Sequence, residues 1–326
     1  LFFDNEIILQ SEYRFNGRKS ENKADFSYSN ANEKTKTHLF SNSKIDLDLD
    51  NFSSSNLGVK IQKSQDNTYL KTYKIESTLI DDISNLNSSI SFDATRDKLY
   101  MDASFEVYED LSQGVNSDKY EYIYPNFNIE KIITTEEWNA NLLLKTSGHQ
   151  KKYNTNTYEA LFVNDFLIKG LPIYRENGFK NNYNFLFKNV NTNADNSLSY
   201  KNENDTKLLS SFSYQSSYPM KKNTAEYNQY LTPIADFKYS PNKTKNIVKE
   251  KRKIGISNVY SFERIGTNES VEGGESLTIG AKYKLDKKNS ENLFEMNLAT
   301  VLRVNENDDL PISSTIGKKM SDVFAS

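Results

Sequence analysis

Three stretches near the C-terminal end alternate between apolar and polar side chains. Over residues 253–262, Ile254, Ile256, Tyr260 and Phe262 share one parity, and Lys253, Gly255, Ser257 and Ser261 the other. Over 276–285, Leu277, Ile279, Ala281, Tyr283 and Leu285 oppose Ser276, Thr278, Gly280, Lys282 and Lys284. Phe294, Met296, Leu298 and Leu302 then oppose Glu295, Asn297 and Arg303. Successive side chains of a β-strand point to opposite faces, so a period of two predicts three strands here. The connections are a short polar turn over 286–291 and a longer one over 263–275 that carries Gly266, Gly273 and Gly274. Such a succession predicts antiparallel hairpins.

The pattern recurs from the N-terminus. Leu9, Tyr13 and Phe15 alternate with Ile8, Gln10, Glu12 and Arg14; the chain turns at Asn16, Gly17 and Arg18, and Phe26 and Tyr28 fall on a return strand. Ile45, Leu47 and Leu49 interleave with Asp46, Asp48 and Asp50, and Leu57, Val59 and Ile61 follow a serine-rich turn. Acidic residues at every second position need water on their side. With lipid against the Ile/Leu side, Asp46, Asp48 and Asp50 line a lumen, and by the same logic Thr278, Lys282, Glu295 and Asn297 do so further along. Leu277, Ile279, Tyr283, Phe294, Met296 and Leu298 then face lipid, and a charge is expected to cost far more at Ile279 than at Thr278.

Tyr69, Tyr73 and Ile75 precede a weaker stretch over 81–89. Ile90, Phe92 and Ala94 are joined to Leu99, Met101, Ala103, Phe105 and Val107 by a tight turn over 95–98, and a polar loop is expected over 109–119. Tyr122 and Tyr124 lead to Pro125, which a strand end or edge tolerates and a central ladder does not. Trp138 opens a strand with Ala140, Leu142 and Leu144, whereas residues 149–182 leave a short helix and a long loop both open. Tyr183, Phe185, Phe187, Leu198, Tyr200, Leu208, Phe212 and Tyr214 resume the strands. Roughly 14–16 candidates exceed the ~10 strands that a twisted open sheet usually carries, so closure is expected. No 20–50-residue motif repeats, which disfavours propellers and solenoids.

Composition sharpens this picture. Hydrophobic residues are only 36% of the 326, yet aromatics reach 13%, with 21 Tyr and 19 Phe. The mean hydropathy of -0.74 would suit disorder if the aromatics were absent. Aromatic-rich strands with polar alternate positions suit a sheet between lipid and water; a soluble β-repeat protein is the alternative. No apolar run approaches the ~18–20 residues of a transmembrane helix. The chain opens on Leu1, Phe2, Phe3 and Asp4 without an initiator Met or cleavage site, which reads as a fragment or mature piece. With 41 basic and 44 acidic residues dispersed through the sequence, no basic stripe points to nucleic acid. The absence of cysteine removes disulfide and thiolate chemistry.

Candidate chemistry is sparse. His38 and His149 have no second histidine at ligand spacing, so both read as polar strand or loop residues. Asp46, Asp48 and Asp50 have calcium-loop spacing, but Asn51 stands where glycine is needed and Leu57 where glutamate is needed. Gly273 and Gly274 follow no strand-to-helix pattern that would cradle phosphate. Glu109 with Asp110, and Glu136 with Glu137, are adjacent pairs whose side chains diverge on a strand. The basic run Lys249, Glu250, Lys251, Arg252 and Lys253 is a solvated loop or a contact for anionic head groups. No cofactor, metal or catalytic constellation is expected, and an enzyme is the weakest reading.

Several local patterns stand in a definite order along the chain: Glu12-Tyr13-Arg14-Phe15 with Asp25-Phe26-Ser27-Tyr28; Ser64-Gln65-Asp66-Asn67-Thr68-Tyr69-Leu70; Tyr124-Pro125-Asn126-Phe127; and Leu231-Thr232-Pro233-Ile234-Ala235 with Tyr239-Ser240-Pro241. Glu263-Arg264-Ile265, Gly273-Gly274, Leu310-Pro311 and Ser321-Asp322 continue the order. Together these patterns resemble the LptD family of lipopolysaccharide-assembly outer-membrane barrels. The resemblance implies an all-β, antiparallel up-and-down transmembrane barrel of about 26 strands, of which this chain is one portion. It implies a preceding periplasmic jelly roll, and first and last strands that lie outside residues 1–326. It also implies a role in lipopolysaccharide transport and insertion into the outer leaflet, in the outer membrane of a Gram-negative bacterium. The implied partners are lipopolysaccharide, membrane lipid, an LptE-like lipoprotein plug and, through the jelly roll, a periplasmic transport bridge. A porin or nutrient channel and a surface β-repeat adhesin are the alternatives.

Overall fold

Alternation of this kind becomes strand almost throughout. The computed structural model describes residues 2–3, 6–31, 34–114, 117–135, 137–252, 254–288 and 291–326, with eighteen strands among them. In chain order the first nine are β1 (Phe2–Phe3), β2 (Glu6–Asn16), β3 (Ser20–Ala31), β4 (Lys34–Asp46), β5 (Ser54–Ser64), β6 (Asn85–Arg96), β7 (Leu99–Asp110), β8 (Tyr120–Thr135) and β9 (Ala140–Tyr153). There follow β10 (Tyr158–Gly170), β11 (Ile173–Tyr174), β12 (Lys180–Asp195), β13 (Asp205–Ser217), β14 (Met220–Asn223), β15 (Tyr227–Ser240), β16 (Gly274–Lys287), β17 (Asn292–Arg303) and β18 (Phe324–Ala325). A four-residue helix, α1 (Tyr69–Thr72), interrupts the series. The fold is an all-β, antiparallel up-and-down sheet. Its fourteen long strands run from 11 to 16 residues, enough for the ~9–11 that cross a bilayer when tilted.

The chain divides into two compact units. Unit 1 comprises residues 1–131, 145–162 and 191–206. Here β2 to β8 pair with their sequence neighbours, Ser27 opposite His38 and Ile90 opposite Phe105. Unit 2 comprises 132–144, 163–190 and 207–326. Its β15 pairs with β13, β14 and β16, and β16 with β17.

In each unit one face of the strands exposes large apolar side chains, as the alternation expects of a lipid-facing wall. Leu9, Tyr13, Phe26, Leu39 and Ile61 are exposed in unit 1, and Phe237, Leu277, Ile279, Phe294 and Met296 in unit 2. The opposite face is polar and largely buried: Asp25, Ser27, His38 and Gln62 in the first, Asp236, Lys238, Ser276, Thr278 and Arg303 in the second. What buries it is a connection folded back onto the strands. Residues 65–84 supply Tyr69, Leu70, Tyr73 and Ile75 to a core with Ile8, Phe40, Leu86 and Leu111. Residues 241–273 supply Ile247, Ile254, Val259 and Ile265 to a core with Ala299, Val301, Leu310 and Ile316.

Several expectations change. The strand expected over 253–262 is a run of turns, with Lys253 outside the described residues. Its alternation is broken, because Asn258 stands at an apolar position and Val259, fully buried, on the polar side. Asn258 instead closes a turn, its Oδ1 accepting the Gly255 N–H at 2.9 Å. Residues 149–182 hold the end of β9, then β10, β11 and the start of β12 with turns between them, and neither a helix nor one long loop. Their period is blurred because Leu161, Val163 and Leu167 are buried on one side while Phe162 is exposed on the other. Leu198 and Tyr200 lie in bends, not in a strand. Pro125 sits inside β8 rather than at its end, at the register shift opposite the stretch between Ser104 and Glu106, and a bulge is a place where a strand tolerates proline. Glu136 lies outside the described residues.

Candidate functional site: the polar face and its covers

In unit 1 the buried bonds to the cover are mostly between uncharged groups, with Lys36 reaching the Tyr73 hydroxyl and Lys119 the Asn67 side chain nearer the surface. Ser27 and His38 face one another across β3 and β4, and Ser27 Oγ lies 2.6 Å from His38 Nδ1 and 2.7 Å from the Tyr69 hydroxyl on α1. His38 Nε2 is 3.2 Å from Asp25 Oδ1, and Gln10 Nε2 donates to the same carboxylate at 3.1 Å. Gln10 also donates to the Glu76 carbonyl at 2.9 Å, and Gln62 Nε2 to the Leu79 carbonyl at 2.7 Å. Serine, histidine and aspartate are thus brought together, but all three are buried to within 2% and Tyr69 closes the serine. A substrate carbonyl has no approach to Ser27 Oγ, so the cluster ties a segment down.

Unit 2 performs the same task with charge. Arg264 grips Glu272 with two bonds, Nε to Oε2 at 2.6 Å and Nη2 to Oε1 at 2.5 Å, while Arg303 on β17 reaches Oε1 at 2.6 Å. Arg264 also reaches the sheet, donating to Thr278 Oγ1 at 2.9 Å and Ser276 Oγ at 3.0 Å. Lys188, paired with Asp165 at 2.7 Å, donates to the Asn268 carbonyl at 2.9 Å; Lys238 donates to the Ser261 carbonyl. Burial opposes ionisation of Glu272, but Arg264, with Lys238 and Arg303, outweighs it and holds the carboxyl far below the usual range. Burial, reinforced by the Asp236 carboxylate, pushes the Tyr260 phenol up to about 12. Tyr260 packs on β16 where Gly280 leaves room: a Cβ there would meet the Tyr260 hydroxyl at 2.3 Å and the Leu298 carbonyl at 2.0 Å.

Thr278, Lys282 and Glu295 share the polar face, as the register Thr278↔Val301, Lys282↔Asn297 and Lys284↔Glu295 requires. Their environments differ. Thr278 is 0% exposed beneath Arg264, whereas Lys282 and Glu295 are exposed. A charge at Thr278 is therefore costly, contrary to the expectation from alternation alone. Only Asp46 belongs to a strand, the last residue of β4; Asp48 and Asp50 lie in the following turn. Asp46 Oδ1 caps the Asp48 N–H at 3.0 Å, Asp48 adopts φ 47°, and its carboxylate meets Lys19 at 2.5 Å. Among the residues that position the covers, Tyr69 and Lys188 gave no sign of their contacts because Ser27 and Asn268 lie 42 and 80 positions away.

Against this geometry, the family model LptD (LPS transport system D) matches residues 34–326. The chain belongs to the LptD family. Its LptD membership makes it an outer-membrane β-barrel protein of Gram-negative bacteria, from a family that handles lipopolysaccharide. A search of curated proteins finds no match. Among solved structures it is similar to OmpT (in-vitro folded), an outer membrane protein of Vibrio cholerae, at 7% identity, over 98% of this chain and 93% of that one, with a TM-score of 0.28.

Proposed function

We propose that this chain forms wall of the barrel through which lipopolysaccharide reaches the outer leaflet, acting as a transporter rather than an enzyme. The observation that carries the reading is the two-faced sheet of an LptD-family chain: exposed apolar side chains on one face, a polar face under folded-back covers on the other. The polar face then borders the lumen, with Lys282 and Glu295 open to it. An LptE-like lipoprotein is the partner that would occupy the remaining lumen, and a periplasmic bridge would deliver lipopolysaccharide through a jelly-roll domain.

Orientation follows from the connections. The links differ in length: Asp97–Lys98 joins β6 to β7 tightly, whereas 65–84, which leaves the opposite end of β6, and 241–273 are the longest. Outer-membrane barrels keep short turns in the periplasm and longer loops outside. The long links accordingly face the medium. Because the chain has no cysteine, Asp81→Cys and Arg18→Cys report this directly: an impermeant maleimide added to intact cells should label the first and not the second.

Function is tested by depleting a host of its own transporter and supplying the full-length protein that contains this chain. Labelled lipopolysaccharide should reach the cell surface with it. A well-folded full-length protein that restores none would overturn the assignment.

A further inference from the structure

The outward face of unit 1 holds a depression. Val59 and Ile61 on β5, Ile90 on β6, Phe105 and Val107 on β7 and Tyr124 on β8 line an apolar groove of about 410 Å³. It lies where the β7–β8 register shifts between Ser104 and Glu106, so that two residues of β8 oppose one of β7. Ile90 and Phe105, paired across the sheet, are 54% and 57% exposed along it.

One end of the groove is charged. Two residues further along the same strands, about 7 Å in strand rise, Ile61 gives way to Lys63 and Val107 to Glu109, the latter paired with Leu86 at the margin of the covered core. On β8 a ladder of rings leads the same way, Tyr124 to Tyr122 to Tyr120, with centroids 6.4 and 6.1 Å apart. Glu109 accepts Lys63 Nζ at 2.6 Å and Lys119 Nζ at 3.0 Å, and both ammonium groups lie 5.4 Å from the Tyr120 ring centroid. Two lysines against one glutamate leave one positive charge. The Glu109 side chain is 6% exposed and that of Lys63 is 55% exposed, so the surplus cation is presented outward while the carboxylate is covered.

We propose that groove and cluster form one binding site for a phosphorylated, acylated glycolipid, the lipid A moiety of lipopolysaccharide. An acyl chain lies along Ile61, Ile90, Phe105 and Tyr124, and a phosphate meets Lys63 above the tyrosine ladder. The groove alone would take any hydrocarbon, and the cluster alone would be a rim ion pair. Their placement one headgroup step apart on the same strands selects a lipid with anionic charge next to its chains. The site rests on the orientation proposed above, which puts the Tyr120 end of β8 in the outer leaflet. It lies on the lipid-facing wall, opposite the polar face, and so holds lipopolysaccharide already in the membrane.

The test places a benzoylphenylalanine photocrosslinker at Ile90 in the full-length protein, or at Leu9 on the same apolar face as a control. The protein is reconstituted in phosphatidylethanolamine bilayers containing lipid A or lipid A stripped of its phosphates. Lipid A adducts should form several times more often at Ile90 than at Leu9. Lys63→Gln should cut the Ile90 adducts about fivefold. Where loss of the ion pair disturbs folding, the neutral triple replacement Lys63→Gln, Lys119→Gln and Glu109→Gln removes charge without stranding a carboxylate and should also abolish the preference. Equal labelling at Ile90 and Leu9, equal labelling by dephosphorylated lipid A, or dominant phosphatidylethanolamine adducts at Ile90 would each overturn the site. Failure of the orientation shows separately, as labelling of Asp81→Cys from the wrong side.

Discussion

The two covers solve one problem with different chemistry. Residues 65–84 lie on a strand face whose polar groups are Ser27, His38, Gln10, Gln62 and the Asp25 carboxylate, with Lys36 beside them, and the cover answers with the Tyr69 and Tyr73 hydroxyls and the carbonyls of Glu76 and Leu79. Residues 241–273 lie on a face that presents Lys188, Lys238 and Arg303, and they answer with the Glu272 carboxylate and the carbonyls of Ser261, Asn268 and Gly273. A cover therefore takes its polarity from the strands beneath it. Neutral bonds can be removed singly at modest cost; a shared carboxylate between two buried guanidinium groups cannot.

The largest effect that separates the units is expected at Glu272. Glu272→Gln leaves Arg264 and Arg303 buried without their counter-charge and should cost about 3–5 kcal/mol. Hydrogen exchange should then show loss of protection in 241–273 and unchanged protection in 65–84; loss in both would break the comparison. The sign with pH follows from the depressed carboxyl. Its contribution is complete above the ordinary glutamate range of about 4.3 and is lost progressively as pH falls below that range towards the depressed folded value, because the unfolded chain takes up the proton first. At the alkaline end, the raised Tyr260 phenol favours the folded state below about 10, and that contribution is lost as pH rises towards about 12. Phenolate absorbance compared with that of Tyr260→Phe would locate the transition.

Next in size is the contrast between faces of β16. Ile279→Arg should cost about 2–4 kcal/mol in bilayer folding measurements, and Lys282→Ala within about 0.5 kcal/mol. Equal costs would remove the assignment of lipid to the exposed apolar face. In unit 1, Tyr69→Phe deletes one hydroxyl and should cost about 1 kcal/mol, read as faster exchange in α1 alone. Smallest is the joint replacement of Asp46, Asp48 and Asp50 by asparagine. It breaks only an exposed pair with Lys19 and should leave the unfolding transition where it is.

Strands were legible wherever one face met lipid and the other did not. Leu277, Ile279 and Phe294 against Thr278, Lys282 and Glu295 is such a case, and the register bears the pattern out. Legibility failed where burial came from above. In 253–262 the apolar residues pack on Ala299 and Val301, and their spacing answers to that contact rather than to a period of two. Asp46, Asp48 and Asp50 continued the alternation into a turn, since alternation cannot see the positive φ of Asp48 and Asn51 that ends the strand. His38 gave no sign of its role, because Ser27 and Asp25 become its neighbours only when β3 pairs with β4.

The seat of Tyr260 on Gly280 bears on a problem that every alternating sheet faces during assembly. A strand that slips by one residue turns its apolar side chains inward and is rejected by burial. A slip of two residues keeps each side chain on its proper face, so burial does not detect it. Such a slip of β16 would carry Thr278 or Lys282 beneath the phenol and against the Leu298 carbonyl, where only a residue without a Cβ fits. The cover thereby proofreads strand register, and a single glycine marks the correct alignment.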